Sequence, residues 1–103
     1  MLIHNVTSKV DHSVHAAWLK WMERAYLPAV MESGTVAGYT LTRLLGVDES
    51  DGLTYALLLT FDSRLVFNIY QEKHALSHQQ AIRDKWGDGV LGFASTLDVV
   101  LRG

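Results

Sequence analysis

Two segments with helix-period apolar residues sit among four segments rich in β-branched and large apolar residues, in the order β-α-β-β-α-β along 103 residues. That order predicts an α+β, ferredoxin-like βαββαβ domain, a four-stranded antiparallel sheet with two helices on one face. Right-handed crossovers carry both helices to the same side. The strands are also apolar on both alternation sets, so the sheet face without helices needs cover as well.

Leu2 to Val10 reads as the first strand, with His4, Val6, Ser8 and Val10 on one face and Ile3, Asn5, Thr7 and Lys9 on the other. Asp11 or Ser13 is placed to cap the helix that follows, because a short side-chain oxygen accepts from the first free backbone N–H groups. Val14, Trp18, Trp21, Met22, Ala25 and Ala29 then make an apolar stripe opposite Lys20, Glu23 and Arg24. Pro28 has no N–H and crowds the preceding turn, which predicts a kink, or an end and restart with Pro28 in a first turn; Gly34 stops the helix. Val36 to Val47 and Leu53 to Phe61 are the next two strands, joined as a hairpin through the acidic tip Asp48-Glu49-Ser50-Asp51-Gly52. Asp62 or Ser63 caps the second helix, which carries Val66, Phe67, Ile69 and Tyr70 on one side. Ser77 and Gln80, in capping-box spacing, predict a bend or restart near Ser77. Gly87 supplies the left-handed residue that ends a helix, and Val90 to Leu101 closes the chain as the last strand.

A chain of this length predicts one domain over residues 1–103, large enough to fold without a disulfide or structural metal. With 49% hydrophobic and 19% charged residues it falls among ordinary globular proteins. A net charge of -2 with scattered Lys and Arg offers no footprint for nucleic acid. The absence of cysteine excludes disulfides, thiolate nucleophiles, iron–sulfur clusters and Cys-ligated zinc. The N-terminus lacks the basic and apolar regions of a signal peptide, and no apolar run approaches the roughly 18 to 20 residues of a membrane span. The expectation is a cytoplasmic protein without a membrane partner.

In the third strand Leu53, Tyr55, Leu57, Leu59 and Phe61 form one set, while Ala56 and Leu58 interrupt the threonines of the other. In the last strand Leu91, Phe93, Leu97, Val99 and Leu101 oppose Val90, Ala94 and Val100. A large uncovered apolar sheet normally marks an interface, which predicts a two-fold homodimer through the bare sheet face. A monomer with a partly apolar surface is the alternative.

Several local runs belong together: Asn5-Val6-Thr7, Trp18-Leu19-Lys20-Trp21-Met22, Leu27-Pro28-Ala29-Val30-Met31, Arg43-Leu44-Leu45, Thr54-Tyr55-Ala56 and Lys85-Trp86-Gly87. They resemble the DUF4286 family of small uncharacterised bacterial proteins over nearly the whole chain. The resemblance implies a ferredoxin-like fold of the dimeric α+β barrel kind and brings no particular reaction. Two positions depart from that family's pattern: Tyr26 stands where a histidine is expected before the Leu-Pro step, and Ala94 where an arginine is expected after Phe93. Any ligand those groups hold in relatives is bound more weakly or differently here.

Asn5, Trp18, Tyr26, Tyr39, Arg43 and Tyr55 form the candidate ligand-binding set, aromatic walls with a few polar groups. For Trp18 and Tyr55 the competing reading is plain core packing; for Arg43 it is an edge arginine reaching solvent. His74 and His78 share a helix face, but Ala75 stands where a zinc-protease motif carries its glutamate and no third ligand is apparent, so no metal is expected. His12 and His15 read as solvated, and His4 as a hydrogen-bonded structural residue or a base. Asn5 and Trp86 invite comparison with cofactor-independent monooxygenases and haem-degrading enzymes of this fold. There the histidine should follow the tryptophan, whereas His74 and His78 precede Trp86, so the motif does not transfer. The acidic tip lacks calcium-loop spacing, and no phosphate-binding glycine loop or nucleophile elbow is present. No cofactor and no catalytic residue is predicted. Two functions stay open: a dimer that binds or transforms a small organic molecule between helices and sheet, and a non-catalytic dimerisation module without a ligand.

Overall fold

In the computed structural model, which describes residues 1–103, strands β1 (Leu2–Val10), β2 (Gly38–Arg43), β3 (Leu53–Phe61) and β4 (Val90–Asp98) form one antiparallel sheet of order β2-β3-β1-β4. The first long helix comprises α1 (His15–Trp21), a π-helical turn (Met22–Tyr26) and α2 (Leu27–Glu32). The second comprises α3 (Arg64–Tyr70), a π-helical turn (Gln71–Ala75) and α4 (Leu76–Trp86), followed by a 3-10 turn (Gly87–Gly89). This is the α+β, ferredoxin-like architecture that the element order predicts.

Alternation fixes the two faces. In β3, Leu53, Tyr55, Leu57, Leu59 and Phe61 are all buried while the residues between them are half-buried. Register places Val6 beside Leu57 and Ala94, and His4 beside Leu59 and Thr96, so His4, Val6 and Ser8 share the helix face. Trp18, Met22, Tyr26, Leu27 and Val30 from the first long helix, and Phe67, Tyr70 and Ala75 from the second, join those strand residues in one core. The opposite face carries Ile3, Asn5, Thr7 and Lys9 flanked by Leu58 and Ala56 on one side and Leu97, Phe93 and Leu91 on the other. Leu91, Phe93 and Leu97 are exposed.

Local differences from the sequence reading have physical causes. The first helix begins at Val14 without a side-chain cap. Asp11 instead spends its carboxylate on the Ser13 N–H and hydroxyl, at 2.8 and 2.7 Å, tightening the turn before it. Pro28 lies in the first turn of α2, and the chain makes room for the missing N–H by widening the turn before it, where the Leu27 N–H reaches the Met22 carbonyl. No restart occurs at Ser77: its hydroxyl donates back to the His74 carbonyl at 3.0 Å, and Gln80 bonds Asp84, because the helix runs on and leaves no free N–H to cap. The bend signal belongs to the π-helical turn just before it. Ser63 caps α3 through the Val66 N–H at 3.2 Å, and Gly87 ends α4 at φ +53°, both as expected. Strand β2 is shorter than predicted, since Leu44, Leu45 and Val47 are exposed in the hairpin. Strand β4 ends at Asp98 because its neighbour β1 begins at Leu2.

Phe61 is fully buried against Phe67 and Tyr70, with ring centroids 5.1 and 5.2 Å away. Phe61→Ala is expected to cost about 3–5 kcal/mol in urea unfolding, because truncation leaves a cavity where both helices meet the sheet. An unchanged midpoint would refute that packing.

Candidate functional site

The inner face of β4 presents Val90, Gly92, Ala94 and Thr96, opposite Val10, Ser8, Val6 and His4 of β1. Gly92, Ala94 and Thr96 supply little volume beneath α4, whose Ile82 and Trp86 are only half-buried against the core and which has no fully buried residue. A cavity of about 510 Å³ therefore separates α4 from the β1–β4 half of the sheet. Gly92 is a backbone requirement there: a Cβ would lie 2.6 Å from the Thr7 carbonyl oxygen.

Polar groups converge on this space. His4, 7% exposed, bonds the Thr96 hydroxyl through Nδ1 at a long 3.4 Å, leaving Nε2 without a protein partner. Burial lowers its pKa, so the imidazole is neutral at pH 7. Tyr26 borders the cavity with its hydroxyl unpaired, and burial, then the neighbouring Tyr70, pushes its pKa well above the ordinary tyrosine value. The Tyr70 hydroxyl lies 2.9 Å from His78 Nδ1, and burial pushes that phenol up to about 12. Burial, then the nearby His74, lowers His78; between a phenol and a neutral imidazole the phenol is the stronger acid and the ring nitrogen the stronger base, which assigns the donor role to Tyr70 with the His78 ring proton on Nε2. Both long helices reach this cluster at their π-helical turns: Tyr26 ends the first, and Tyr70 immediately precedes the second. Such turns widen the helix and recur at functional sites. Gln79 also borders the cavity, as do the exposed Arg83 and Asp88.

Of the six sequence-predicted site residues, the structure brings only Tyr26 to this cavity. Trp18 and Tyr55 pack against each other deeper under the helices, their rings tilted by 51° with centroids 4.9 Å apart, where about 10 Å³ of space remains. They are walls of the core. Tyr39 and Arg43 occupy the edge strand, where Tyr39 is exposed and Arg43 grips Glu49 at 2.8 and 3.0 Å. That pairing holds the Glu49 carboxyl below its usual range. Asn5 lies on the other side of the sheet, its amide on Thr7 at 3.3 Å and its Oδ1 buried without a partner. His12 and His15 are also engaged: His12 meets the Glu49 carbonyl, and His15 the Tyr55 hydroxyl, both at 2.6 Å. His4, Ser8, Tyr70 and Gln79 border the cavity and were not in the predicted set. The signal for the first two was available, since a polar residue at an inward position of a central strand needs a partner or a function.

A family model described as a domain of unknown function, DUF4286, matches residues 1–100. The chain belongs to the DUF4286 family. Tyr26 and Ala94 of this DUF4286 chain both border the cavity. No protein of curated function matches its sequence. Among solved structures, the DUF4286 chain resembles HapK from Hahella chejuensis, with TM-score 0.71 and 12% identity over 100% of this chain and 96% of that one. It also resembles a variant of MhuD crystallised with two manganese protoporphyrin IX bound per active site, with TM-score 0.73 and 16% identity over 100% and 98% of the two chains. A dimeric ferredoxin-like protein from an uncultured marine organism matches with TM-score 0.65 and 10% identity over 99% and 97%. At such identities the likeness establishes the fold. No helix is long and apolar enough to cross a membrane.

Buried His4 and half-buried His78 both carry pKa values below 6.5, so the unfolded chain binds more protons in mild acid than the folded one. Their contribution is fully present above about pH 6.5 and is lost as pH falls through the lowered values. The urea midpoint is expected to fall between about pH 7.5 and about pH 5, with a smaller fall in His78→Gln. Equal pH profiles for the two proteins would contradict the assignment.

Proposed function

We propose that the chain binds a small organic molecule in the cavity between α4 and the β1–β4 half of the sheet, and that it does so as a homodimer formed through the outer sheet face. One observation carries the first part: the buried Tyr26 and His4 border a space of mixed polar and apolar lining, and neither Tyr26 Oη nor His4 Nε2 has a protein hydrogen-bond partner. Both atoms keep access to solvent, so water pairs with them until a guest offering matching groups takes over those bonds. The volume lies within the range of small-molecule sites. His4 is the histidine that borders the cavity, so a porphyrin iron would have to be held by His4 Nε2; His74 and His78 pack against Tyr70 instead. The remaining uncharged polar groups are the hydroxyls of Ser8 and Tyr70 and, at the exposed rim, the Gln79 amide, suited to hydrogen bonding an organic guest.

The second part is supported by the outer face. Lys9 is the one charged residue among its paired strand positions, and exposed Leu91, Phe93 and Leu97 line it beside the orphaned Asn5 carbonyl oxygen. A nearly uncharged, self-complementary face suits a second copy of the same chain.

A thermal-shift screen with small aromatics, organic acids and haemin tests the site. A bound guest raises the melting temperature, and Ala94→Phe, which fills the cavity from β4, is expected to abolish the rise while leaving the unliganded melting temperature within a few degrees. A rise that survives this substitution, or no rise with any compound, would remove the proposal. For the interface, Leu97→Glu is expected to halve the mass seen by light scattering, through a charge buried opposite Ile3. A wild-type protein already monomeric at micromolar concentration would refute the dimer.

A further inference from the structure

Resting on the cavity reading above, we propose that the site takes hydroxyl-bearing aromatic molecules in their uncharged form and discriminates against the corresponding anions. The argument begins with what faces the space. From β1 comes His4, from the first long helix Tyr26, and from the second Tyr70, backed by His78 and His74. The charged groups at its border, Arg83 of α4 and Asp88 of the following turn, are exposed and of opposite sign. No cation stands inside to neutralise a guest anion.

Tyr26 and Tyr70 are themselves phenols set in this wall, and burial raises the pKa of both. A guest phenol placed among them meets the same loss of solvent, which penalises its ionised form. Hydrogen-bond direction points the same way. Tyr70 gives its proton to His78, so only its oxygen lone pairs are left for a guest, whereas Tyr26 keeps a free proton to give. The Tyr70 and Tyr26 rings pack against the same His78 ring, at 5.6 and 6.0 Å between centroids, which sets both phenols at one end of the cavity. A phenol completes this pair by donating to Tyr70 and accepting from Tyr26. A phenolate has no proton to donate and would face the Tyr70 lone pairs. Burial keeps His4 and His78 neutral, so neither supplies the missing positive charge.

The test uses 4-nitrophenol, whose ionised form alone is yellow, beside 4-nitroanisole, the same ring with no ionisable proton. Binding is expected to bleach the yellow band at neutral pH. The dissociation constant for 4-nitrophenol should rise about tenfold per pH unit above the probe's own pKa, while that for 4-nitroanisole stays flat. Tyr70→Phe is expected to weaken 4-nitrophenol about five-fold and leave 4-nitroanisole unchanged, because only the phenol donates to that oxygen. A yellow band that persists or grows while 4-nitrophenol binds would overturn the inference, as would equal losses for the two probes in Tyr70→Phe. If 4-nitroanisole binds under those outcomes, the cavity reading stands and the selectivity alone falls. If neither probe binds, both fall.

Discussion

Strict alternation along the two central strands is the constraint on which the rest depends. Leu53, Tyr55, Leu57, Leu59 and Phe61 of β3 and Val10, Val6 and Leu2 of β1 point to one side and give both long helices a floor. A one-residue slip would turn that floor to the other face and release both helices. Beneath α4 the floor is incomplete, because β4 offers Gly92 and Ala94 where β3 offers leucines. The cavity is the consequence of that shortage of side-chain volume on an edge strand.

The same constraint explains the chemistry gathered there. Carrying His4 inward among leucines strips it of water, and the helices bring Tyr26, Tyr70 and His78 over it. Burial acts in opposite directions on acids and bases, raising the phenols and lowering the imidazoles, yet both shifts keep the group neutral at pH 7. Charge enters only at the exposed rim, through Arg83 and Asp88, or lies farther off, as in the Arg43–Glu49 pair of the hairpin. An uncharged interior with unpaired hydrogen-bonding groups is the physical character of the site.

Much of the fold was legible in the sequence, because periodicity, the Ser63 cap and the Gly87 terminator are local signals. The site was less so. Asn5 was grouped with the aromatic residues by side-chain type, although its alternation with His4 had already placed it on the opposite face. Arg43 and Glu49 lie six residues apart across a hairpin, and His15 and Tyr55 forty apart, so neither partnership follows from helix or strand spacing. The separation of α4 from β4 is a matter of volumes across two distant segments, and no short window contains it. The inward polar residues His4 and Ser8 were the local trace it left.

The central claim, that this space rather than the deeper aromatic core or the hairpin edge receives guests, is most directly tested by carbon-labelled tyrosine rings observed by NMR during titration with a panel of small aromatics. The account expects Tyr26 and Tyr70, which border the cavity, to shift saturably while exposed Tyr39 stays still. Movement of Tyr39 alone, or no movement of any tyrosine ring, would contradict it.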